Sequence, residues 1–345
     1  MFTHLATHST FSLQEGLATP TELVRSAKAQ GMPALGLTDH NLLTGAVEFV
    51  HACKEAEIAP LLGLEVDLST GRLPLLASSQ EGWANLCRLS SAMALQDDPE
   101  RPCSFDLLAA HAKDLIALGS ADGEKAAKQF EILKDIFGNR LYLSLQDPRI
   151  GLPLSHFARS MGVQMVATHP IYYLKPAQAA LQRTLAAVRL NRPISTIAEE
   201  DLAPTGAYFL SEGEMLTRFH GFQSALKRTQ EIVERCTFDL PLGEPNMPKI
   251  SIQDGLSPSG HLRQRAEEGA RKLYGKITPE IQARLDHELE TIAKMGYEPI
   301  FLIVEDVLNF ARETGVPYSS RGSAASSLVA HCLGIRSLRI QASNR

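Results

Sequence analysis

The sequence predicts an α/β barrel over residues 1–195, followed by a mainly helical segment. Short apolar stretches of strand length alternate with amphipathic stretches of helix length, and the connections between them are short. Several of the apolar stretches end in polar residues, as in Thr38-Asp39-His40. This alternation is typical of βαβ units that build a parallel sheet or barrel, in which the chemistry lies at the carboxyl ends of the strands.

The predicted elements follow this alternation along the first part of the chain. Strands are predicted at residues 34–40, 59–66, 74–77, 115–118, 141–145 and 164–169. Helices are predicted at residues 19–30, 44–57, 80–95, 123–137, 152–161 and 175–189. The first helix has Thr19 as its N-cap and Pro20 at its first position, and both residues favour a helix start. The number of strand–helix units is sufficient to close a barrel.

Two histidines near the start of the chain are candidate metal ligands. A strand-like segment, Phe2 to His8, places His4, Ala6 and His8 on one face because side chains alternate along a strand. Two histidines on one face, with Glu15 in the following loop, predict a metal site. The alternative is a pair of histidines with ordinary hydrogen bonds, and spacing alone does not separate the two.

The second half of the chain predicts a connector and then helices. Residues 196–255 are punctuated by Pro, Thr and Ser and contain a helix at about 224–236, which indicates a linker between domains. Helices are predicted at residues 259–274, 278–295 and 297–314 in the segment 256–345. Apolar side chains in the last of these are spaced for a buried stripe: Phe301, Leu302, Val304, Val307, Leu308 and Phe310.

A polar loop near the end of the chain has the composition of an anion site. Small and polar residues run from Ser319 to Ser323 and precede a helix-forming run. Free backbone N–H groups at such a helix start favour phosphate. Arg321 is suited to a bidentate contact with phosphate oxygens, and Ser323 to an N-cap or direct ligand role. The alternative is an ordinary loop that leads into a capped helix.

The amino-acid composition limits the class of protein and the cellular compartment. Apolar content of 44% and charged content of 21% are ordinary for a globular protein, and a net charge of −5 argues against a basic nucleic-acid clamp. The five cysteines are scattered without a Cys-x-x-Cys pair, which indicates a reduced, cytoplasmic protein without a zinc ribbon. No apolar run is long enough for a membrane span, and no signal region opens the sequence.

From His4 to about Arg192 the chain resembles the polymerase-and-histidinol-phosphatase (PHP) domain, a distorted (βα)7-type barrel. The resemblance rests on five stretches of sequence, and it is closest to the PHP domain of bacterial C-family DNA polymerases. These stretches are Thr38-Asp39-His40 with residues 44–49, Gly63-Leu64-Glu65-Val66, Leu75-Leu76-Ala77 with residues 82–89, Val166-Ala167-Thr168, and Tyr173-Leu174.

The later segments also resemble C-family DNA polymerases, which include the DNA polymerase III alpha subunits and their error-prone relatives. The loop at Ser319–Ser327 is similar to the Gly-Arg-Gly-Ser-Ala-Ala-Gly-Ser segment of the family's palm, which lies at the triphosphate of the incoming nucleotide. The resemblance implies a nucleotide site formed by Arg321, Gly322 and Ser323. Ser320 replaces a family glycine and is expected to stiffen the loop.

The same resemblance implies a degenerate PHP metal site. A working PHP site holds several metal ions that generate hydroxide and clamp a phosphoester. Family ligand positions match His4, Glu15, His40 and Glu65, with His8 and Asp39 beside them. The other ligand positions fall on Ala6, on Arg72 or Leu73, within Gly119-Ser120-Ala121, and on Pro148, Pro170 and Tyr172, with His169 one position early. We therefore expect an inactive scaffold that holds Zn²⁺ or Mn²⁺ weakly or not at all.

By resemblance the chain is the N-terminal part of a DNA polymerase III alpha-type subunit, a DNA-directed DNA polymerase (nucleotidyltransferase) of replication or translesion repair. DNA, deoxynucleoside triphosphates and replisome subunits are the implied partners, with Mg²⁺ at the polymerase site. The family's catalytic carboxylates have no match in this sequence, so this chain alone is expected to be inactive. Two alternatives stay open: a standalone metal-dependent PHP phosphoesterase or 3′–5′ exonuclease, and a non-enzymatic scaffold that binds a partner polymerase.

Overall fold

A computed structural model describes residues 2–98, 101–243, 246–252, 255–319, 322 and 326–335. The chain divides into two compact units between Leu242 and Gly243. The first part of the predicted connector, residues 196–242, therefore lies within the first unit. Its helix at Gln223–Arg235 contributes Leu226 and Ile232 to the buried apolar clusters of that unit.

The first unit is built on a six-stranded sheet that follows chain order, which confirms all six predicted strands. The strands are β1 (Ala34–Leu37), β2 (Ala59–Leu68), β3 (Gly71–Ala77), β4 (Leu115–Gly119), β5 (Leu141–Leu145) and β6 (Gln164–Ala167). Most of their residues are apolar and buried because helices cover the outer face and side chains fill the inner one.

Strand β3 departs from the all-parallel sheet that the sequence predicts. β1–β2, β4–β5 and β5–β6 are parallel pairs, whereas β3 is antiparallel to both β2 and β4. The reason is the connection between β2 and β3, which is a turn at Ser69-Thr70 without a helix. A crossover helix is needed to bring the next strand back in parallel, so a short turn gives a hairpin.

The segment 2–8, predicted as a strand, is extended and links the two edges of the sheet. On one side Gly36 and Thr38 of the β1 region donate backbone hydrogen bonds to His4 and Thr7, at 2.8 and 2.9 Å. On the other side His8 donates to Ile171, just after β6, at 2.8 Å. The curled sheet is therefore closed by this segment, and the barrel fold is confirmed.

Nine helices surround the sheet in the described part of the first unit. They are α1 (Pro20–Ala29), α2 (Ala46–Ala56), α3 (Gln80–Ala94), α4 (Phe105–His111), α5 (Glu124–Phe137), α6 (Gly151–Met161), α7 (Ala179–Leu190), α8 (Glu212–Arg218) and α9 (Gln223–Arg235). Thr19 caps α1 as predicted, in a capping box with Glu22. Helices α4 and α8 were not predicted, because they span only two turns each and are too short to show a clear period.

The described part of the second unit is helical, as predicted. It contains α10 (Pro258–Tyr274), α11 (Pro279–Met295), α12 (Glu298–Glu313) and α13 (Leu328–Cys332). Leu262, Leu285, Leu289 and Val329 form the centre of its apolar core. Among the described residues of the chain, no helix combines the length and the apolar character needed to cross a membrane.

The predicted buried stripe on α12 is wrong for half of its members. Val307 and Phe310 are 57% and 65% exposed, and Val304 is also exposed. The face of α12 that packs on α10 instead buries Glu305, which accepts hydrogen bonds from Arg265 at 2.6 and 3.0 Å. Periodicity identifies an apolar face, but the face of α12 that packs on α10 carries an ion pair and leaves part of that apolar face exposed.

The close approach of segment 2–8 to β1 generates a stability prediction. A Cβ atom at Gly36 would lie 2.4 Å from the backbone oxygen of Leu5, so the closing segment would have to move. We expect Gly36→Ala to lower the free energy of unfolding by about 2 kcal/mol or more. Urea unfolding followed by the fluorescence of Trp83, the single tryptophan and a residue of the first unit, measures this.

Gly213→Ala is the matched control. Gly213 lies in α8 with open space around its Cα, so alanine should be neutral or stabilising by up to about 1 kcal/mol. Equal effects of the two substitutions would contradict the closure described here.

Candidate functional site

The rim of the barrel brings together four of the predicted metal ligands and one cation. His8 and Glu15 come from the segment before α1, His40 follows β1, and Glu65 lies in β2. Arg72 of β3 lies among them, with its guanidinium against Glu15 and Glu65. The cluster is therefore a set of carboxylates and imidazoles arranged around an arginine.

The antiparallel direction of β3 explains how Arg72 reaches this rim. The start of β3 lies beside the end of β2, and Arg72 is directly opposite Asp67 in the register. Side chains alternate along a strand, so Glu65, Asp67 and Arg72 share one face of the hairpin. Of the two residues that the sequence analysis left open, Arg72 enters the site and Leu73 is part of the apolar core.

Arg72 makes a bidentate ion pair with Glu15. Its Nη1 and Nη2 atoms donate to the two carboxylate oxygens at 2.6 and 2.8 Å, the fork geometry that guanidinium and carboxylate groups favour. Nη1 also donates to Glu65 at 3.3 Å and to the Tyr172 hydroxyl at 3.0 Å. Burial would lower the pKa of Arg72, but these acidic partners outweigh burial and raise the pKa. Arg72 thus occupies the centre of the carboxylate cluster as a permanent cation.

Glu15 has three cationic partners at the rim, and Arg72 has as many acidic ones. Glu15 is 4% exposed and accepts hydrogen bonds from Arg72 and from Arg189 of α7, and the His40 Nδ1 atom is 3.3 Å away. Burial alone would raise the pKa of Glu15, but hydrogen bonds from His40 and Arg72 outweigh it and lower the pKa. Glu15 is therefore ionised and fully engaged by protein cations.

His40 is held as a cation between two carboxylates. Its Nε2 atom lies 2.7 Å from Asp67 and its Nδ1 atom faces Glu15. Burial would lower the pKa of His40, but hydrogen bonds to Asp67 and Glu15 raise it to about 9. A protonated imidazole has no free lone pair, so His40 in this state is not available to a metal ion.

His8 and Glu65 form the inner wall of the cluster. The His8 ring stacks on Tyr172 with ring centroids 4.1 Å apart, and its Nδ1 atom lies 3.2 Å from the Ser12 hydroxyl. Its Nε2 atom, without a hydrogen bond among the described residues, is 3.6 Å from Glu65. Burial lowers the pKa of His8 to about 3 and raises that of Glu65 to about 7.

Asp39 and His4, the two remaining predicted ligands, hold the local structure. Asp39 accepts hydrogen bonds at 2.6 to 2.7 Å from the backbone and hydroxyl of Ser9 and from the hydroxyl of Ser12, so its carboxylate fixes the loop after segment 2–8. The His4 Nε2 atom bonds the Leu210 carbonyl at 2.8 Å, and its ring packs between Phe2 and Phe209. Neither side chain is aimed at the arginine-centred cluster.

The residues present do not fit a multinuclear metal centre. Within the described parts of the chain, no group of three or more His, Cys, Asp or Glu side chains has an arrangement that could hold a metal ion. Glu15 and Glu65 face the Arg72 guanidinium, and a cation there would meet a fixed positive charge within hydrogen-bonding distance of both carboxylates. His169, one position from a family ligand, bonds the Tyr208 carbonyl instead.

Three residues of the rim were not singled out as site residues by the sequence analysis. Asp67 lies two positions after Glu65 on the same strand face, so the alternation of β2 was a usable signal. Tyr172 was identified only as a residue that stands in place of a metal ligand of the family. Arg189 carries no sequence signal, because its contact with Glu15 spans 174 positions of the chain.

The predicted nucleotide loop lies largely outside the described residues. Arg321 and Ser323 are not described, and Gly322 has a φ of 96°, a backbone conformation that glycine adopts readily. The helix that follows, α13, is capped by Ser327. The Glu288 carboxylate of α11 also lies at the start of this helix. It accepts hydrogen bonds from the Val329 backbone N–H at 3.0 Å and from the Ser327 hydroxyl at 2.8 Å.

Two segments of the chain match known protein families, in agreement with the barrel and the helical unit described above. Residues 4–148 match the PHP domain, and residues 260–340 match the bacterial DNA polymerase III alpha NTPase domain. The chain therefore carries a PHP domain and a segment of the DNA polymerase III alpha type.

Curated relatives extend this assignment over almost the whole chain. An error-prone DNA polymerase of Symbiobacterium thermophilum is 34% identical over 97% of this chain and 34% of its own length. A DNA polymerase III subunit alpha of Halalkalibacterium halodurans is 31% identical over 96% of this chain and 32% of its own length. The chain is homologous to the bacterial C-family DNA polymerases, and it spans about one third of the length of these relatives.

One solved structure is also similar to part of this chain. A putative metal-dependent phosphoesterase from Bifidobacterium adolescentis aligns with a TM-score of 0.35 and 16% identity over 48% of this chain and 86% of that chain.

The contact between Glu288 and the start of α13 generates a prediction. Burial would raise the pKa of Glu288, but hydrogen bonds from Val329, Leu328, Ser327 and Arg284 lower it. A lowered folded-state pKa stabilises the structure at neutral pH, and this contribution is lost as the pH falls through that pKa. We expect Glu288→Gln to speed amide hydrogen exchange of residues 326–333 several-fold at pH 7 and to have less effect near pH 4.

Glu290→Gln on the same helix is the matched control. Glu290 is exposed and paired only with Lys294 among the described residues, so its loss should leave exchange in α13 unchanged. Equal exchange in both variants would show that Glu288 does not hold the start of α13.

Proposed function

We propose that this chain works as part of a C-family DNA polymerase in which the PHP domain is a structural support and not a catalyst. The homology to error-prone and replicative alpha-type polymerases supports the first half of this proposal. Arg72 supports the second half, because its guanidinium takes the position between Glu15 and Glu65 that a catalytic cation would need.

An arginine replaces the charge of a metal ion but not its chemistry. The guanidinium neutralises buried carboxylates and orients them through fixed N–H donors. It cannot bind a water molecule as a Lewis acid or lower the pKa of that water to make a nucleophile. With Arg72, Arg189 and the protonated His40 facing Glu15, Glu65 and Asp67, the rim balances its charges internally. This rim is therefore suited to stabilise the barrel and not to hydrolyse a phosphoester.

The polymerase role is proposed for the second unit. By homology, DNA and deoxynucleoside triphosphates are the ligands, and Arg321, Gly322 and Ser323 contact the triphosphate. The polymerase carboxylates that would hold Mg²⁺ have no match in this sequence. We therefore expect that this chain alone does not extend a primer. A cytoplasmic location and contacts with replisome subunits belong to the same proposal.

Metal analysis tests the support role of the PHP domain. Chain purified without added ions should hold fewer than two divalent ions and should not hydrolyse a phosphoester with Mn²⁺ or Zn²⁺. Arg72→Gln should bind Mn²⁺ at least about tenfold more tightly than the wild type, measured by the loss of the free Mn²⁺ signal in electron paramagnetic resonance. Removing a charge at about 4 Å relieves repulsion of about 4 kcal/mol at an effective dielectric constant of 20.

Arg88→Gln is the matched control, since Arg88 is an exposed arginine of α3 paired with Glu81. It should bind Mn²⁺ like the wild type. Two or more tightly held ions in the wild type, with hydrolysis of a phosphoester, would favour the PHP phosphoesterase or exonuclease and overturn the support role.

Nucleotide binding tests the proposed role of the loop. Arg321→Ala should weaken the binding of a fluorescent deoxynucleoside triphosphate by about 10-fold or more, because charge-assisted hydrogen bonds contribute about 1.5–3 kcal/mol each. Fluorescence anisotropy measures the affinity. Lys294→Ala removes an exposed cation of α11 and should have no effect. Equal binding by Arg321→Ala and the wild type would contradict the triphosphate role.

A further inference from the structure

One side of α12 in the second unit is apolar and largely exposed. The side chains that form it lie three or four positions apart, so they are neighbours along the helix. Their exposed fractions are between 37% and 65%, and they are Ile300, Ile303, Val304, Val307 and Phe310. Single exposed apolar side chains are ordinary on a protein surface, whereas a contiguous row marks an interaction surface. We call this row the α12 face.

A cleft of about 480 Å³ adjoins the α12 face within the same unit. Ile303 belongs to both, and its neighbour Leu302 also lines the cleft. Ile250 and Ile252, which precede α10, add two more apolar side chains to the wall. The polar side chains of the lining are Ser251, His261 and Asp306. An apolar row beside a largely apolar cleft fits a protein partner that inserts side chains into the cleft.

Two carboxylates border the α12 face. Asp306 lies three positions after Ile303, and its side chain is exposed. Glu313 lies three positions after Phe310 and is also exposed. These charges favour a partner that carries Lys or Arg beside its apolar surface. They disfavour a second copy of this chain, which would bring the same negative charges to the contact.

The C-terminal end of α12 is tied to both flanks of the predicted nucleotide loop. The Arg312 Nε atom donates to the Tyr318 hydroxyl at 2.8 Å, just before the loop. The Nη2 atom of the same arginine donates to the Gly334 carbonyl, just after α13. Phe310, the last residue of the α12 face, is two positions from Arg312. A partner on this face would therefore be held near the residues on either side of the loop.

We propose that the α12 face docks the part of a C-family DNA polymerase that lies outside the stretch matched by this chain. The lengths of the relatives select this occupant, because the Symbiobacterium polymerase matches 97% of this chain but only 34% of its own length. The face also lies within residues 260–340, the segment that matches the DNA polymerase III alpha NTPase domain. The inference rests on the proposed function, and it brings the polymerase part that this chain lacks beside the nucleotide loop.

Binding of a polymerase fragment to the whole chain tests this proposal. The probe is the part of the Symbiobacterium thermophilum error-prone DNA polymerase outside its match to this chain, tagged and co-expressed with the chain. Biolayer interferometry on the purified partners measures the affinity. We expect one-to-one binding by the wild type. Val307→Asp should weaken it by about 10- to 100-fold, because docking would bury an unpaired carboxylate.

Phe310→Ser keeps the test decisive if Val307→Asp fails to fold, which circular dichroism shows. It removes apolar area at an exposed position without adding a charge, and it should weaken binding by about tenfold. Leu152→Asp, at an exposed leucine of α6 in the first unit, is the matched control and should bind like the wild type. Unchanged binding by a folded variant of the α12 face, or no binding by the wild type, would overturn the docking face.

Two further measurements identify the occupant and separate this inference from the proposed function. Light scattering on the chain alone should give a monomer, and a dimer that Val307→Asp splits would assign the face to a second copy and overturn the proposal. Binding of a deoxynucleoside triphosphate is measured on the same chain without the probe. If the wild type binds the triphosphate through Arg321 but does not bind the probe, only the docking face is wrong. If it binds the probe and Arg321→Ala leaves triphosphate binding unchanged, the docking face stands and the nucleotide role is wrong.

Discussion

The bidentate ion pair between Arg72 and Glu15 is the interaction on which the barrel rim depends. Both side chains are largely removed from water, so each charge would be costly without the other. The pair is positioned by two features of the chain: the loop after segment 2–8, fixed by Asp39, and the antiparallel strand β3, which starts at the rim. A parallel third strand would have placed its first residues at the opposite end of the barrel.

The ion pair extends into a network that joins distant parts of the first unit. Glu15 also receives Arg189 from α7, and His40 connects it to Asp67 on the hairpin. These contacts tie segment 2–16, β2 and α7 to one carboxylate. In such a network the arginines and His40 supply the positive charge beside the rim carboxylates. This is the physical basis of the proposal that the PHP domain supports the fold and does not hydrolyse a phosphoester.

Local sequence patterns predicted most elements of the fold, because strand length, helix period and capping residues are encoded within a few residues of each other. The direction of β3 was not predicted. It follows from the connection between β2 and β3, which is a short turn and not a helix. The packing of α12 was not predicted, since the face that meets α10 depends on the tertiary fold, and that face carries Glu305 paired with Arg265. At the rim, resemblance identified Glu15, but the contact from Arg189 depends on the tertiary fold.

A double-mutant cycle between Arg72 and Glu15 tests the central claim most directly. Urea unfolding of Arg72→Leu, Glu15→Leu and the double variant in chelator, followed by Trp83 fluorescence, gives the coupling free energy. Each single variant leaves the other charge with only its remaining partners, Arg189 and His40 for Glu15 or Glu65 and Asp67 for Arg72, and should lose about 2 kcal/mol or more. The double variant should lose clearly less than the sum of the two single losses. Additive losses in chelator, with coupling that appears only when Zn²⁺ or Mn²⁺ is added, would contradict the claim that arginine replaces the metal.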